Sequence, residues 1–98
     1  MNLSKNEVAV LSLLMGAGEM YGLEMVRKSE GKLKLGTIYI TLSRIEEKGY
    51  ATSRRELEAA VVVPRRLYRI TGAGAKLYRA WIAAEDVFNS RLCGVQHE

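Results

Sequence analysis

Cysteine, proline and histidine each occur once in these 98 residues, as Cys93, Pro64 and His97. A lone cysteine excludes an internal disulfide and fits a reducing compartment. With one histidine there is no paired-His motif and no Ser/His/Asp set. Gly72-Ala73-Gly74 resembles a glycine-rich loop, but no strand–helix nucleotide unit follows it. The chain therefore reads as a non-enzyme that needs no cofactor and holds no metal. There is no apolar run of membrane-spanning length, which excludes a membrane span. The N-terminal apolar segment is short and flanked by Ser4, Lys5, Asn6 and Glu7, so it reads as a helix start rather than a signal peptide. A cytoplasmic protein is expected.

What is present is a chain 48% apolar, enough for one domain with a modest core. The net charge is +4, unevenly spread. Between Arg27 and Arg69 stand eleven Lys/Arg against five Glu, so this middle carries +6 and the remainder −2. A basic middle between less basic ends suits a polyanionic partner. It also suits an ordinary solvated surface.

The first helix has a full start signal. Ser4 caps, Glu7 closes the capping box, and Leu3 staples onto Val8. It runs to about Met15 and ends at Gly16-Ala17-Gly18. Its apolar residues, among them Val10, Leu13 and Leu14, leave any single stripe, which calls for cover on more than one side. A second subunit is a natural cover. A second helix spans Met20 to about Ser29 with Leu23, Met25 and Val26 inward, and Gly31 ends it. The third covers Leu35–Gly49. Leu35, Ile38, Leu42 and Ile45 form its inner face, Thr37, Ile40, Thr41, Arg44 and Lys48 its outer face, and Tyr39 and Ser43 flank them. The second and third helices form a helix-turn-helix pattern.

After Gly49 the period changes to two. Tyr50–Leu57 and Arg65–Ile70 read as two strands of a hairpin, with Pro64 at a strand start. Basic residues fall on both arms, Arg54 and Arg55 on one, Arg65 and Arg66 on the other. Between them Ala59–Val63 is an apolar tip without tight-turn chemistry. Thr71 caps a last helix whose stripe is Leu77/Tyr78, Trp81/Ile82, Phe88 and Leu92. The fold class expected is mainly α with a small β-hairpin. Residues 1–71 form a winged helix-turn-helix, and 72–98 a C-terminal dimerisation helix and tail. The expected dimer interface is Val10, Leu13, Leu14, Tyr78, Trp81, Ile82, Phe88 and Leu92.

Three blocks in this order resemble the PadR family of bacterial winged-helix transcription regulators. They are Tyr21-Gly22 with Glu24; Leu35-Gly36-Thr37-Ile38-Tyr39 with Leu42, Arg44-Ile45-Glu46 and Gly49; and Arg66-Leu67-Tyr68-Arg69-Ile70-Thr71 with Gly74. The likeness covers about residues 6–80, and the single C-terminal helix is similar to the family's short subgroup. The resemblance implies a homodimeric repressor whose first and last helices build the dimer and whose third helix reads operator DNA. The chain departs from the family where Ile40 replaces the usual proline after Tyr39, and in its apolar wing tip.

On this reading the DNA-binding residues are Tyr21, Lys32, Lys34, Thr37, Tyr39, Ile40, Thr41, Arg44, Arg54, Arg55, Arg65 and Arg66. Arg44 suits a bidentate guanine contact and equally an intrahelical or intersubunit ion pair with Glu47 or another Glu. Tyr21 and Tyr39 suit phosphate contacts or half-buried packing. The partners expected are double-stranded DNA and a second copy of the chain, with a small planar ligand at the dimer interface as a further possibility. The competing reading is a winged-helix protein-interaction module that binds no DNA.

Overall fold

In a computed structural model, which describes residues 3–56 and 65–94 and the side chains as far as residue 87, four helices enclose a three-stranded antiparallel sheet. The elements are α1 (Lys5–Ala17), β1 (Glu19–Tyr21), α2 (Gly22–Lys28), α3 (Leu35–Glu47), β2 (Ala51–Glu56), β3 (Arg65–Ile70) and α4 (Gly72–Gly94). The expected tip Ala59–Val63 and the side chains of Phe88, Leu92, Cys93 and His97 lie outside the described residues.

α1 begins as its sequence dictates. The Ser4 side chain accepts from the Glu7 N–H at 3.1 Å, and the Glu7 carboxylate accepts from the Ser4 N–H at 2.8 Å. The helix runs two residues past Met15 and closes at Gly18, whose φ is +86°. Val10, Leu11 and Leu14 are fully buried against Met20, Met25, Leu33, Ile38, Leu42, Ile45, Ala51 and Tyr68. Val10 and Leu14 are therefore withdrawn from the expected dimer interface. The chain itself covers this part of the over-apolar helix, and neither residue has surface to offer.

The short strand β1 pairs with β3 and gives the sheet order β1-β3-β2. Three residues are too few to show a period, so the sequence reads this stretch as the start of a helix. The hairpin itself follows expectation, pairing Ala51 with Ile70 through Glu56 with Arg65. Its inner face carries Ala51 and Tyr68 into the core. Burial, with the Glu46 carboxylate close by, pushes the Tyr68 phenol above its ordinary value.

α2 stops at Ser29 rather than Gly31. The buried Ser29 hydroxyl donates to the Val26 carbonyl at 2.8 Å and accepts from the Leu33 N–H at 2.9 Å. This ties the end of α2 to the approach to α3. α3 closes at Lys48, and Gly49 takes a φ of +83° that its position after a helix end requires. α4 starts on Thr71, whose hydroxyl donates to the Gly49 carbonyl at 2.7 Å and accepts from the Gly74 N–H at 3.0 Å. Gly74 lies so close to the Tyr50 carbonyl that a Cβ would come within 2.0 Å of it, so only glycine fits this joint. The first half of α4 packs on α1 through Tyr78. Beyond it Ile82, Glu85, Asp86 and Val87 are exposed. Among the described residues no helix is long and apolar enough to cross a membrane.

Candidate nucleic-acid interface

α3 is anchored from four directions. Ile38, Leu42 and Ile45 bury one face in the core. At the C-terminal end the Lys48 ammonium donates to Glu7 at 2.9 Å, joining α3 to α1. Burial pushes the Glu7 carboxyl up, but the Ser4 N–H and Lys48 outweigh it and hold it below its ordinary value. Toward the hairpin, Arg66 donates to the Ser53 hydroxyl at 3.0 Å and Ser53 donates to Glu46 at 2.6 Å, so the wing is fastened to the flank of α3. At the N-terminal end the Tyr39 ring lies across α2. A Cβ on Gly22 would stand 2.9 Å from it, which is why glycine opens α2.

Opposite the buried face a row at helical spacing, Gly36, Ile40, Ser43 and Glu47, is exposed, with Thr37 and Arg44 beside it. Arg44 has no hydrogen bond or ion pair with a described residue of its own chain, so of the expected alternative the intrahelical pair with Glu47 is not formed. Two assignments on this helix are corrected. Thr41 is only 6% exposed, and its hydroxyl donates to the Thr37 carbonyl at 3.2 Å. It stands three residues after Ile38 and four before Ile45, which places it on the edge of the buried stripe. Leu35 is 58% exposed, because the first turn of α3 projects past the core. Leu23, expected inward, is 45% exposed, since Gly22 and Met25 carry the buried face of α2.

A cleft of about 770 Å³ opens beside this row, between α2, α3 and the hairpin. Tyr21, Gly22, Leu23, Glu24 and Tyr39 line it together with Arg27, Arg55, Arg65 and Arg66. Arg55 and Arg66 are cross-strand partners, placing like charges directly opposite each other. Such pairs destabilise a hairpin by roughly 0.2–1 kcal/mol. Arg27 went unassigned in the sequence because α2 shows only an exposed basic end. It is the wing folding over α2 that brings Arg27 into the cleft.

The outer face of the sheet is different. Glu19 accepts from Arg69 at 3.0 Å and lies 3.6 Å from Arg54, and Glu56 lies 3.3 Å from Arg54. Tyr21 donates its hydroxyl to Glu56, and the Arg65 guanidinium stacks 4.5 Å from the centre of its ring. Tyr21 and Arg54, both expected on phosphates, are thus engaged with carboxylates of the sheet. Glu56 follows Arg54 at the strand period of two, so that pairing was legible in the sequence. Lys32 and Lys34 are exposed at the entry to α3, where Lys34 occupies the N-cap without a side-chain cap.

A second cleft of about 830 Å³ separates α1 from α4 and is lined by Leu3, Val8, Leu13, Tyr78 and Trp81 with Lys5, Lys28 and Glu85 at its rim. Of the residues expected at a dimer interface, Leu13, Tyr78 and Trp81 lie here half-buried, and Ile82 is exposed on α4.

Among curated proteins no sequence matches the chain. Solved structures do. A PadR family transcription regulator from hypervirulent Clostridium difficile R20291 is 25% identical over 91% of this chain and 99% of its own, with a TM-score of 0.71. A PadR-like transcription factor from Bacteroides fragilis is 20% identical over 91% and 87%, with a TM-score of 0.80. Bacillus subtilis PadR in complex with operator DNA is 23% identical over 78% and 45%, with a TM-score of 0.68. The family model for the PadR-like transcriptional regulators matches residues 10–80. On that match, and on a winged helix-turn-helix fold shared with solved members, this chain belongs to the PadR-like family of transcriptional regulators.

Proposed function

We propose that the chain is a homodimeric, sequence-specific DNA-binding repressor that inserts α3 into the major groove and lays its wing on the flanking phosphates. The observation that carries this reading is the opposed pair Arg55 and Arg66, in one cleft with Arg27, Arg65 and the α3 side chain Tyr39. The two arginines face each other across the hairpin, and a polyanion relieves their repulsion. A phosphate backbone beside a groove-bound helix supplies one. The exposed row of α3, small and polar with Arg44 at its side, fits base edges. The solved complex of Bacillus subtilis PadR with operator DNA gives the precedent. Residues 1–71 form the DNA-binding unit in this reading, and 72–98 the dimerisation helix and tail.

The dimer is supported by the apolar lining of the α1–α4 cleft and by Ile82 and Val87, exposed on a helix that leaves the body. A partner helix seated there covers Leu13, Tyr78 and Trp81. A planar ligand would share that same aromatic lining. Two subunits on a two-fold axis read a pseudo-palindrome with half-sites about one helical turn apart.

Selection of bound sequences from random duplex DNA tests the proposal. The expected result is an inverted repeat. If each subunit neutralises ~3–4 phosphates, a titration of the selected site gives a slope of roughly −5 to −7 in log K against log salt. No retained duplex, or binding independent of salt, overturns the reading, and an intact dimer without DNA affinity returns the interaction-module alternative.

A further inference from the structure

We propose that Ile40 sets sequence specificity by recognising the 5-methyl group of thymine; the inference rests on α3 entering the major groove. Ile40 stands on the outward row of α3, four residues after Gly36 and three before Ser43. It is 54% exposed and takes no part in the hydrophobic core or in the residues packed against it. A β-branched apolar side chain standing between glycine and serine on an otherwise polar row has no internal work to do. Its neighbours Gly36 and Ser43 add little bulk, so Ile40 projects beyond them as a single apolar knob. Leu35 and Tyr39, 58% and 50% exposed, extend the apolar surface along the same end of the helix.

The occupant follows from the charge around this surface. Lys34 is exposed at the entry to α3, Arg44 is exposed one turn after Ile40, and the arginines of the neighbouring cleft lie beyond Tyr39. An apolar knob with cations before and after it is matched by duplex DNA, whose grooves carry apolar groups between two anionic backbones. An apolar protein surface offers no such flanking anions. In the major groove the one apolar group on a base edge is the thymine methyl; cytosine presents hydrogen at that carbon, and adenine and guanine present polar edges. A half-site with thymine opposite Ile40 therefore buries a methyl group against it. Any other base leaves the isoleucine against a polar edge or a gap.

The test uses the full-length wild-type protein and the duplex it selects. Each thymine of the half-site is replaced in turn by deoxyuridine, which removes the methyl and keeps every hydrogen bond. One position per half-site is expected to lose affinity by about three- to fivefold, and by about tenfold or more when both half-sites are changed. Ile40→Ala is expected to bind the thymine and deoxyuridine duplexes equally, with its salt slope and sedimentation unchanged. Since Ile40 is outside the core, that variant folds as the parent does, and circular dichroism checks it. Equal wild-type affinity for every deoxyuridine duplex overturns the inference while leaving DNA reading intact, as does an Ile40→Ala protein that still discriminates. A wild-type protein that binds no duplex overturns the inference together with the proposed function.

Discussion

Replacing Gly36 by alanine is expected to stabilise the protein and weaken its grip on DNA. Gly36 is the second residue of α3, and a Cβ built on it meets no atom of the chain within 4 Å. Its backbone is not in the left-handed region, so alanine fits without strain. Glycine in a helix is roughly 0.5–1 kcal/mol less favourable than alanine, and the first turn keeps the lower part of that range. For a chain of this length the gain corresponds to a rise in Tm of about 2–4 °C. It is measured by thermal denaturation at one fixed protein concentration, because a dimer's Tm moves with concentration. The fold thus gives up stability at Gly36 with no internal contact to account for it. On the proposed function an external surface accounts for it: a backbone without a side chain would let the uncapped N-terminus of α3 approach a phosphate. An added methyl holds that phosphate off and loses a hydrogen bond to a charged group, about 1.5–3 kcal/mol, or roughly ten- to a hundredfold in affinity. The reasoning fails if the alanine variant binds its site as tightly as the parent. It fails differently if the variant is less stable, for then the chain itself needs the glycine.

Arg55→Ala, which removes one phosphate contact from each subunit of the dimer, is expected to reduce the salt slope of DNA binding by about 2, whereas Arg54→Ala, whose guanidinium is held by Glu19 and Glu56, moves it less; equal effects would refute the distinction. The Glu7 carboxyl is held below its ordinary value, so the stability it lends is complete at neutral pH and is lost as pH falls through its folded value, below the glutamate value of 4.5. Glu7→Gln should then cost about 1–3 kcal/mol in urea unfolding at neutral pH, with the gap to the parent closing in acid. A gap that stays constant with pH would assign the loss to packing. Ser29→Ala should cost about 1–3 kcal/mol by leaving the Leu33 N–H without its acceptor, while Ser43→Ala, exposed on α3, should cost under about 0.5 kcal/mol.

The parts of this fold that were legible in the sequence are those fixed locally. Ser4 and Glu7 stand three apart and make the capping box they imply. Gly49 ends α3, and the period-two segments pair as a hairpin. Where the reading failed, a longer-range contact decided. β1 exists because β3 offers it an edge, which three residues cannot announce. Val10 and Leu14 looked like an interface because the eye counts apolar sides of a helix, and not how many of them one small chain covers. Thr41 was placed by its chemistry as a hydroxyl, although its spacing from Ile38 and Ile45 put it inward. Leu35 was placed by its spacing, although the helix start carries it past the core.

The polar ties around α3 separate structure from function. Lys48 to Glu7, Ser53 to Glu46 and Tyr39 over Gly22 hold the helix at its end and flanks. What the ties leave over is a narrow set. Ile40 stands outside the core, Gly36 has open space, and Arg27, Arg44 and Arg55 have no hydrogen bond or ion pair with any described residue. Tyr21 and Arg54 looked equally functional by type and position, yet carboxylates of the same chain engage them. A helix held this firmly, with its middle row left unengaged, does not need that row for folding. The residues least explained by the fold are therefore the ones to which the proposed function assigns a role, and each is an exposed position where substitution leaves the core in place.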